Sequence, residues 1–296
     1  MSGFELNGLG QIIHVTVDLP GARALYTDVF GAECYYEGYS PYEKRDASIY
    51  AVGDLTIEPM APSDEPGAAD LPVGRFLTRF GPRFQSVAIC VSGVLDLAEH
   101  LQTNGVRVVG PGGMALADLP TEGPRAIYSH PRQSHFLIEF VDFDGTGGLM
   151  PGNPRREPGW DAARWAVSHP LGIVGISHIT ALVRDVEAAL TFFTGVLATP
   201  VIADIADAGA ARTARIRLGT EMVVELLQPL DPASPDARSL DVDGEGLGGL
   251  TLSVRDLDAA ADHLAASGVG LTSRSDAELR LDPASTAGAD LRLAVA

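Results

Sequence analysis

The chain contains a single lysine, Lys44; every other basic residue is arginine. Schiff-base and pyridoxal chemistry each need a placed lysine amine, so neither is expected. Cysteine is nearly as scarce. Cys34 and Cys90 are too few for a zinc cluster or a disulfide framework. Cys90 sits in the apolar run Val87 to Val91 and reads as a buried structural thiol rather than a nucleophile. Long hydrophobic runs are missing, since none approaches the ~20 residues that a membrane-spanning helix needs. Met1 to Gly10 shows neither a basic start nor an apolar stretch of the secretory kind, and the expectation is a cytoplasmic protein. Positive charge is in deficit, with 21 Lys and Arg against 39 Asp and Glu and a net charge of -18. Because phosphate neutralisation needs clustered Lys and Arg, neither a nucleic acid nor an anionic membrane is an expected partner. The acidity reads as a solubility device.

What is present is globular. With 296 residues, 46% of them hydrophobic and 20% charged, the chain can build two domains, each with a core. An internal repeat organises it. The segment QIIHVTVDLPGARALYTDVFGA from Gln11 resembles HITALVRDVEAALTFFTGVLAT from His178, an offset of 167 (178 minus 11). That offset places Asp18 on Asp185, Tyr26 on Phe193, Val29 on Val196 and, without a gap, Glu58 on Glu225. A second pair, SVAICVSGVLDLAEHLQTNGV from Ser86 and GLTLSVRDLDAAADHLAASGV from Gly249, is offset by 163 (249 minus 86). It places His100 on His263 and Gly105 on Gly268.

Each segment follows one plan. A β-branched strand ends near an acidic or small residue suited to capping. A helix with apolar spacing of three and four follows, as at Val94, Leu97, Ala98 and Leu101. Gly105 and Gly268 then stop their helices, and further apolar strands complete the unit. The expected fold is therefore α+β, four βαβββ modules over residues 8–62, 83–143, 173–229 and 246–296, forming two tandem domains with cupped mixed sheets. Gly145, Gly147, Gly148, Pro151, Gly152, Pro154, Pro158 and Gly159 mark the longest connector as an interdomain linker. This predicts a first domain over 1–145 from modules one and two, a linker over 146–172, and a second domain over 173–296 from modules three and four.

These residues resemble the vicinal oxygen chelate superfamily, the glyoxalase, bleomycin-resistance and extradiol-dioxygenase fold. The likeness is most specific in module two. There PVGRFLTRFGPRFQSVAICV, NGVRVV and HPRQSHFLIEF are similar to methylmalonyl-CoA epimerase-like members. The resemblance implies paired modules curling around a divalent metal, with ligands from the start of each opening strand and from a Glu or Gln on each last strand. Carried over, these positions are Gln11, Glu58, Ser86 and Glu139 in the first domain, and His178, Glu225, Gly249 and Ala294 in the second. Ser86 stands where a histidine is usual, and Gly249 and Ala294 offer no ligand atom. The implied metal set is Gln11, Glu58 and Glu139, whose oxygens suit Mg or Mn better than Zn; Fe and Ni complete the implied ions, and a metal-free site is a further reading. Extradiol ring cleavage is disfavoured. Pairing module two with three instead would gather Ser86, Glu139, His178 and Glu225, and a metal set of Glu139, His178 and Glu225.

Glu139 and Glu58 are the candidate acid–base residues. Ser86, Gln85, Tyr36, Tyr39 and His135 are candidates for substrate contact, the tyrosines because Tyr35, Tyr36, Tyr39, Tyr42 and Tyr50 crowd one short stretch. Such a cluster grips a ring-bearing ligand or forms a contact between copies in a homodimer. His14, three residues after Gln11, should face away from the ligand position and reads as a packed histidine. Arg75, Arg79 and Arg83 suggest one helical face. The expected activity is that of a lyase or isomerase stabilising an enolate on a small oxygenated substrate, aromatic or an acyl-CoA ester. The rivals are a resistance-type protein that sequesters a small molecule and a metal-independent enzyme using Glu139 with tyrosine donors.

Overall fold

Hydrophobic periodicity translates into strands and helices in the expected order. The computed structural model describes residues 3–119, 125–142 and 152–296. Module one runs β1 (Glu5–Val15), α1 (Leu19–Ala24) continued by a π-helical turn at Leu25–Val29, β2 (Glu33–Ser40), β3 (Arg45–Val52) and β4 (Leu55–Pro62). After α2 (Pro72–Phe80), module two runs β5 (Arg83–Ser92), α3 (Val94–Thr103), β6 (Val108–Val109), β7 (Ala126–Ser129), α4 (Pro131–Ser134) and β8 (Leu137–Asp142). A short α5 (Arg164–Ser168) precedes module three, which is β9 (Ile173–Leu182), α6 (Val186–Gly195), β10 (Val201–Ala208), β11 (Ala211–Leu218) and β12 (Met222–Pro229). Following α7 (Pro235–Asp243), module four is β13 (Gly246–Val254), α8 (Leu257–Ala266), β14 (Leu271–Arg274), β15 (Glu278–Leu281) and β16 (Leu291–Val295). The four βαβββ units are all present. Among the described residues no helix is long and apolar enough to cross a membrane.

The capping chemistry repeats with the sequence. Asp18 accepts from the Gly21 amide, Asp185 from Glu187 and Ala188, and Asp256 from Asp258 and Ala259, each satisfying amides that a helix start leaves open. Gly105 and Gly268 follow α3 and α8 at φ 76 and 75, the left-handed region where a side chain is penalised. The expected three-arginine face is shorter than predicted. Arg75 and Arg79 lie on α2, but the helix ends at Phe80 and Arg83 opens β5.

Two open eight-stranded mixed sheets result, in the orders β2-β3-β4-β1-β5-β8-β7-β6 and β10-β11-β12-β9-β13-β16-β15-β14. Modules one and two thus share one hydrogen-bonded sheet, three and four the other. The 167 offset is built into the register: Ile12 pairs with Ile57 and Ile13 with Glu58, as Ile179 pairs with Val224 and Thr180 with Glu225.

The compact units divide the chain differently, and here the sequential domain expectation needs correction. One unit comprises Met1–Gly10, Ser86–Met150 and His178–Gly248; the other comprises Gln11–Gln85, Pro151–Ser177 and Gly249–Ala296. Module two therefore belongs with three, and module one with four. The first unit is called unit 1 below and the second unit 2. Two matching contacts join the modules within each unit. In unit 1, His100 Nε2 on α3 meets the Val196 carbonyl at the end of α6, 2.8 Å away. In unit 2, His263 Nε2 on α8 meets the Val29 carbonyl at the end of the α1 segment, 2.9 Å away. Each imidazole N–H satisfies a carbonyl that a helix end leaves without an intrahelical partner. Substituting His100 or His263 by alanine is expected to cost about 1 kcal/mol each, read as a lowered denaturation midpoint, with roughly additive losses in the double variant.

The segment expected as a linker is also different in kind. Residues 143–151, including the predicted boundary at 145, lie outside the described residues. From Gly152 onward the chain packs on module one within unit 2: Trp160 Nε1 donates to the Gly53 carbonyl and Trp165 Nε1 to the Gly31 carbonyl, both at 2.9 Å. Arg164 stacks 3.9 Å above the Trp165 ring.

Unit 1 centres on stacked Phe136 and Phe193, 5.5 Å apart. Unit 2 has an aromatic core of Tyr26, Phe30, Tyr50 and Phe84 beside His14. His14 is fully buried, with Nδ1 at 3.0 Å from Tyr26 Oη and Nε2 at 3.1 Å from the Ala287 carbonyl. These contacts fix a neutral tautomer, Nε2–H donating and Nδ1 accepting. Burial lowers its pKa to about 4, partly offset by the Ala287 hydrogen bond. The unfolded chain takes up this proton near pH 6.5 while the folded chain refuses it, so stability present above pH 6.5 is lost as pH falls toward 4. The expected loss is about 3 kcal/mol at pH 4, checked by denaturant unfolding across that range, and His14→Gln should flatten the slope.

Candidate functional site

In unit 2 the starting point is Glu58, placed on β4 opposite Ile13 of β1. Side chains alternate along a strand, so Gln11, two residues before Ile13, projects from the same face as Glu58. Gln11 Nε2 donates to Glu58 Oε2, and Arg45 Nη1 donates to Glu58 Oε1 at 3.1 Å. Arg45 Nε also meets Glu43 Oε2 at 2.7 Å. Glu58 is only 4% exposed. Burial pushes its pKa up, and the Arg45 charge and hydrogen bond work against that rise. The buried Gln11 Oε1 has no hydrogen-bond partner.

Module four supplies the rest of unit 2. Ala88 pairs with Glu139 in module two, and the corresponding Thr251 (88 plus 163) pairs with Arg292 in module four. The counterpart of Glu139 is therefore Arg292, and the expected Ala294 is corrected by two residues. An arginine stands where the resemblance implies a ligand. Arg292 Nη2 and Arg280 Nη2 reach Asp290 Oδ2 at 3.2 and 2.6 Å. At Gly249 an added Cβ would meet the Asp290 carboxyl carbon and carbonyl oxygen at 3.0 Å, so the Asp290 side chain fills the space of a ligand there.

Unit 1 holds the remaining positions. Ser86 and Glu139 share a strand face, because Ala88 lies directly opposite Glu139 and Ser86 is two residues from Ala88. Tyr128, cross-strand to Glu139, donates from Oη to Glu139 Oε1 at 2.8 Å. Ser86 is 1% and Glu139 8% exposed. In module three, His178 and Thr180 share the face of Glu225, with Thr180 opposite it. His178 Nε2 lies 3.5 Å from Glu225 Oε1. Arg215, opposite Glu225 across β11 and β12, brings Nε and Nη2 to Glu225 Oε2 at 3.0 and 2.8 Å. The Thr180 hydroxyl, fully buried, has no hydrogen-bond partner.

The expected set of Gln11, Glu58 and Glu139 is therefore divided, the first two in unit 2 and the third in unit 1. Glu139, His178 and Glu225, gathered by the alternative pairing, are all in unit 1. The substrate-contact candidates divide likewise. Gln85, Tyr36 and Tyr39 belong to unit 2, Ser86 and His135 to unit 1. Tyr36 and Tyr39 are 38% and 40% exposed on the edge strand β2, and Tyr39 Oη donates to Glu65 at 2.6 Å. Tyr50 is a core residue while Tyr42 is exposed, so the tyrosine cluster is not one surface. His135 Nδ1 is 2.9 Å from Glu245 Oε2, and its ring contacts Phe192 and Phe193. Burial raises the Glu245 pKa, but the His135 contact, with the Arg184 amide and charge, outweighs it and holds the carboxyl low. Sequence reasoning missed Arg45, Arg215, Tyr128 and Arg292. Arg215 and Tyr128 lie directly across from Glu225 and Glu139, Arg45 reaches Glu58 from opposite Pro62, and Arg292 lies opposite Thr251, placements visible only once register is known.

The donor sets do not fit a divalent metal. Among the described residues no three His, Cys, Asp or Glu side chains converge where a metal could sit. Contacts account for this. Both Glu58 oxygens accept hydrogen bonds, one from a guanidinium, and Glu225 Oε2 carries two more from Arg215. An adjacent fixed cation opposes a second one by Coulomb repulsion.

Residues 175–277 match the model of the Glyoxalase/Bleomycin resistance protein/Dioxygenase superfamily. Among solved structures, a triple mutant of 4-hydroxymandelate synthase from Streptomyces coelicolor superposes with TM-score 0.65 at 13% identity, over 98% of this chain and 92% of that one. Methylmalonyl-CoA epimerase from Mycobacterium tuberculosis gives 26% identity and TM-score 0.38, over 42% of this chain and 88% of that one. No curated protein matches the chain. Residues 175–277 are thus similar to the glyoxalase-like superfamily, and the chain as a whole shares the fold of the 4-hydroxymandelate synthase structure.

Proposed function

We propose that unit 1 carries the active centre of a lyase or isomerase acting on a small oxygenated substrate, aromatic or an acyl-CoA ester, by proton transfer. The observation that carries this reading is the presence of Glu139, buried and hydrogen-bonded by Tyr128, in the same unit as the His178–Glu225–Arg215 array. Glu139 removes the proton next to the substrate carbonyl, and the Tyr128 hydroxyl orients its carboxylate. Negative charge growing on the carbonyl oxygen calls for fixed donors, which His178 and Arg215 supply. No step requires a metal. Neutral residues could bind such a substrate equally well, but a carboxylate desolvated in this way suits a base.

The test is hydrogen–deuterium exchange at the carbon adjacent to the carbonyl, followed by mass spectrometry in D2O over a panel of aromatic 2-oxo acids and branched acyl-CoA thioesters. Enzyme-dependent exchange supports the reading. Saturable binding without exchange identifies the sequestering protein instead, and overturns it.

A further inference from the structure

Each odd-numbered module places an arginine against the glutamate of its family ligand position. We propose that Arg45 and Arg215 are built-in cations, supplying in fixed form the positive charge that a divalent metal would bring and excluding that metal from both units. The claim concerns charge compensation and stands whether or not unit 1 performs proton transfer.

The two arginines did not arrive by copying one position. Arg45 lies 13 residues before Glu58 (58 minus 45), and Arg215 lies 10 before Glu225 (225 minus 215). Under the 167 offset, Arg215 corresponds to Ser48 and Arg45 to Arg212. Arg212 is committed elsewhere, to Glu187 at 3.1 Å and Asp207 at 3.3 Å. The same pairing has been reached from two places on the hairpin, which a chance ion pair inherited through duplication would not give. The surroundings agree. Glu58 and Glu225 have side chains only 5% and 13% exposed, where an uncompensated carboxylate is costly. The neighbour on the adjacent parallel strand, Gln11 or His178, approaches the remaining carboxylate oxygen in both units. The family-type ligand is thus kept, but its charge is already balanced. Guanidinium stays protonated at any working pH, so this compensation is permanent.

Co(II) is the probe, followed by calorimetry and by its visible ligand-field bands. Wild type and His178→Ala are expected to behave alike, with no site-specific binding. Arg215→Ala should gain a site for one Co(II) per chain, bound at least about a hundredfold more tightly than by wild type, the scale of two unit charges a few ångströms apart near a protein surface. Adding His178→Ala to Arg215→Ala should abolish it. Arg215→Gln, which removes the charge yet keeps hydrogen-bond donors for Glu225, is measured in parallel, with folding checked by circular dichroism. Co(II) binding to wild type that depends on His178 overturns the proposal. So does failure of both folded Arg215 variants to bind Co(II) better than wild type.

Discussion

Glu139→Gln is expected to reduce substrate proton exchange by about a hundredfold to ten-thousandfold, the usual contribution of a positioned general base. Glutamine is isosteric and retains a carbonyl to accept the Tyr128 hydroxyl, so the 2.8 Å contact and the β7–β8 pairing can persist. The melting temperature should therefore stay close to that of wild type while turnover falls. That combination separates lost chemistry from lost structure. Tyr128→Phe should give a smaller loss, because it removes orientation while leaving the base in place. Parallel loss of melting temperature and exchange in Glu139→Gln would place Glu139 in the scaffold and remove it from the reaction.

Arg45→Met is expected to destabilise the protein by about 3–5 kcal/mol at neutral pH, the typical result of removing one partner of a buried ion pair. Glu58 is then left charged and 4% exposed, with Gln11 as its remaining hydrogen-bond donor in the pair described above. The pH dependence has a definite sign. Burial already raises the Glu58 pKa, and Arg45 is the main influence opposing that rise. Without Arg45 the folded-state pKa moves further above its unfolded value. Stability of the variant is then fullest below the unfolded pKa and is lost as pH rises through the folded one. The gap to wild type should consequently narrow in acid, measured by denaturant unfolding at a series of pH values. The His14 contribution is common to both proteins and cancels in the difference. Adding Glu58→Gln to Arg45→Met should recover much of the loss, since no buried charge remains to be compensated.

Strand and helix order was readable because the repeat carries caps and apolar periodicity together. Asp18 and Asp185 both cap helices, and the Gln11/His178 and Glu58/Glu225 correspondences survive as matching strand registers. The last strand of module four was not readable. Its path from the helix is shorter than in module two, so no constant offset spans both, and only hydrogen bonding places Arg292 across from Thr251. Module pairing was misread from connector length. Yet the sequence held the relevant signal: His100 aligns with His263 and Val29 with Val196, and these are the residues whose contacts join module two to three and four to one. Aligned residues mark equivalent positions; which copy meets which is decided by packing. The arginine partners were hidden for a related reason. Both sit on an antiparallel neighbour, but Arg215 lies directly opposite Glu225 while Arg45 lies opposite Pro62 and reaches back to Glu58, so spacing to the glutamate differs between copies.

The interleaving of segments has a consequence for how such a chain could be assembled. The chain passes from one compact unit to the other at Gly10–Gln11, Gln85–Ser86, Met150–Pro151, Ser177–His178 and Gly248–Gly249. Each half of the polypeptide contributes one module to each unit, which is the connectivity of two short subunits that have exchanged arms and then been fused end to end. Fusion frees the halves from having to remain identical. One unit can keep histidine and glutamates while the other has glycine and arginine at two of its four positions, a difference that a symmetric pair of identical subunits could not encode.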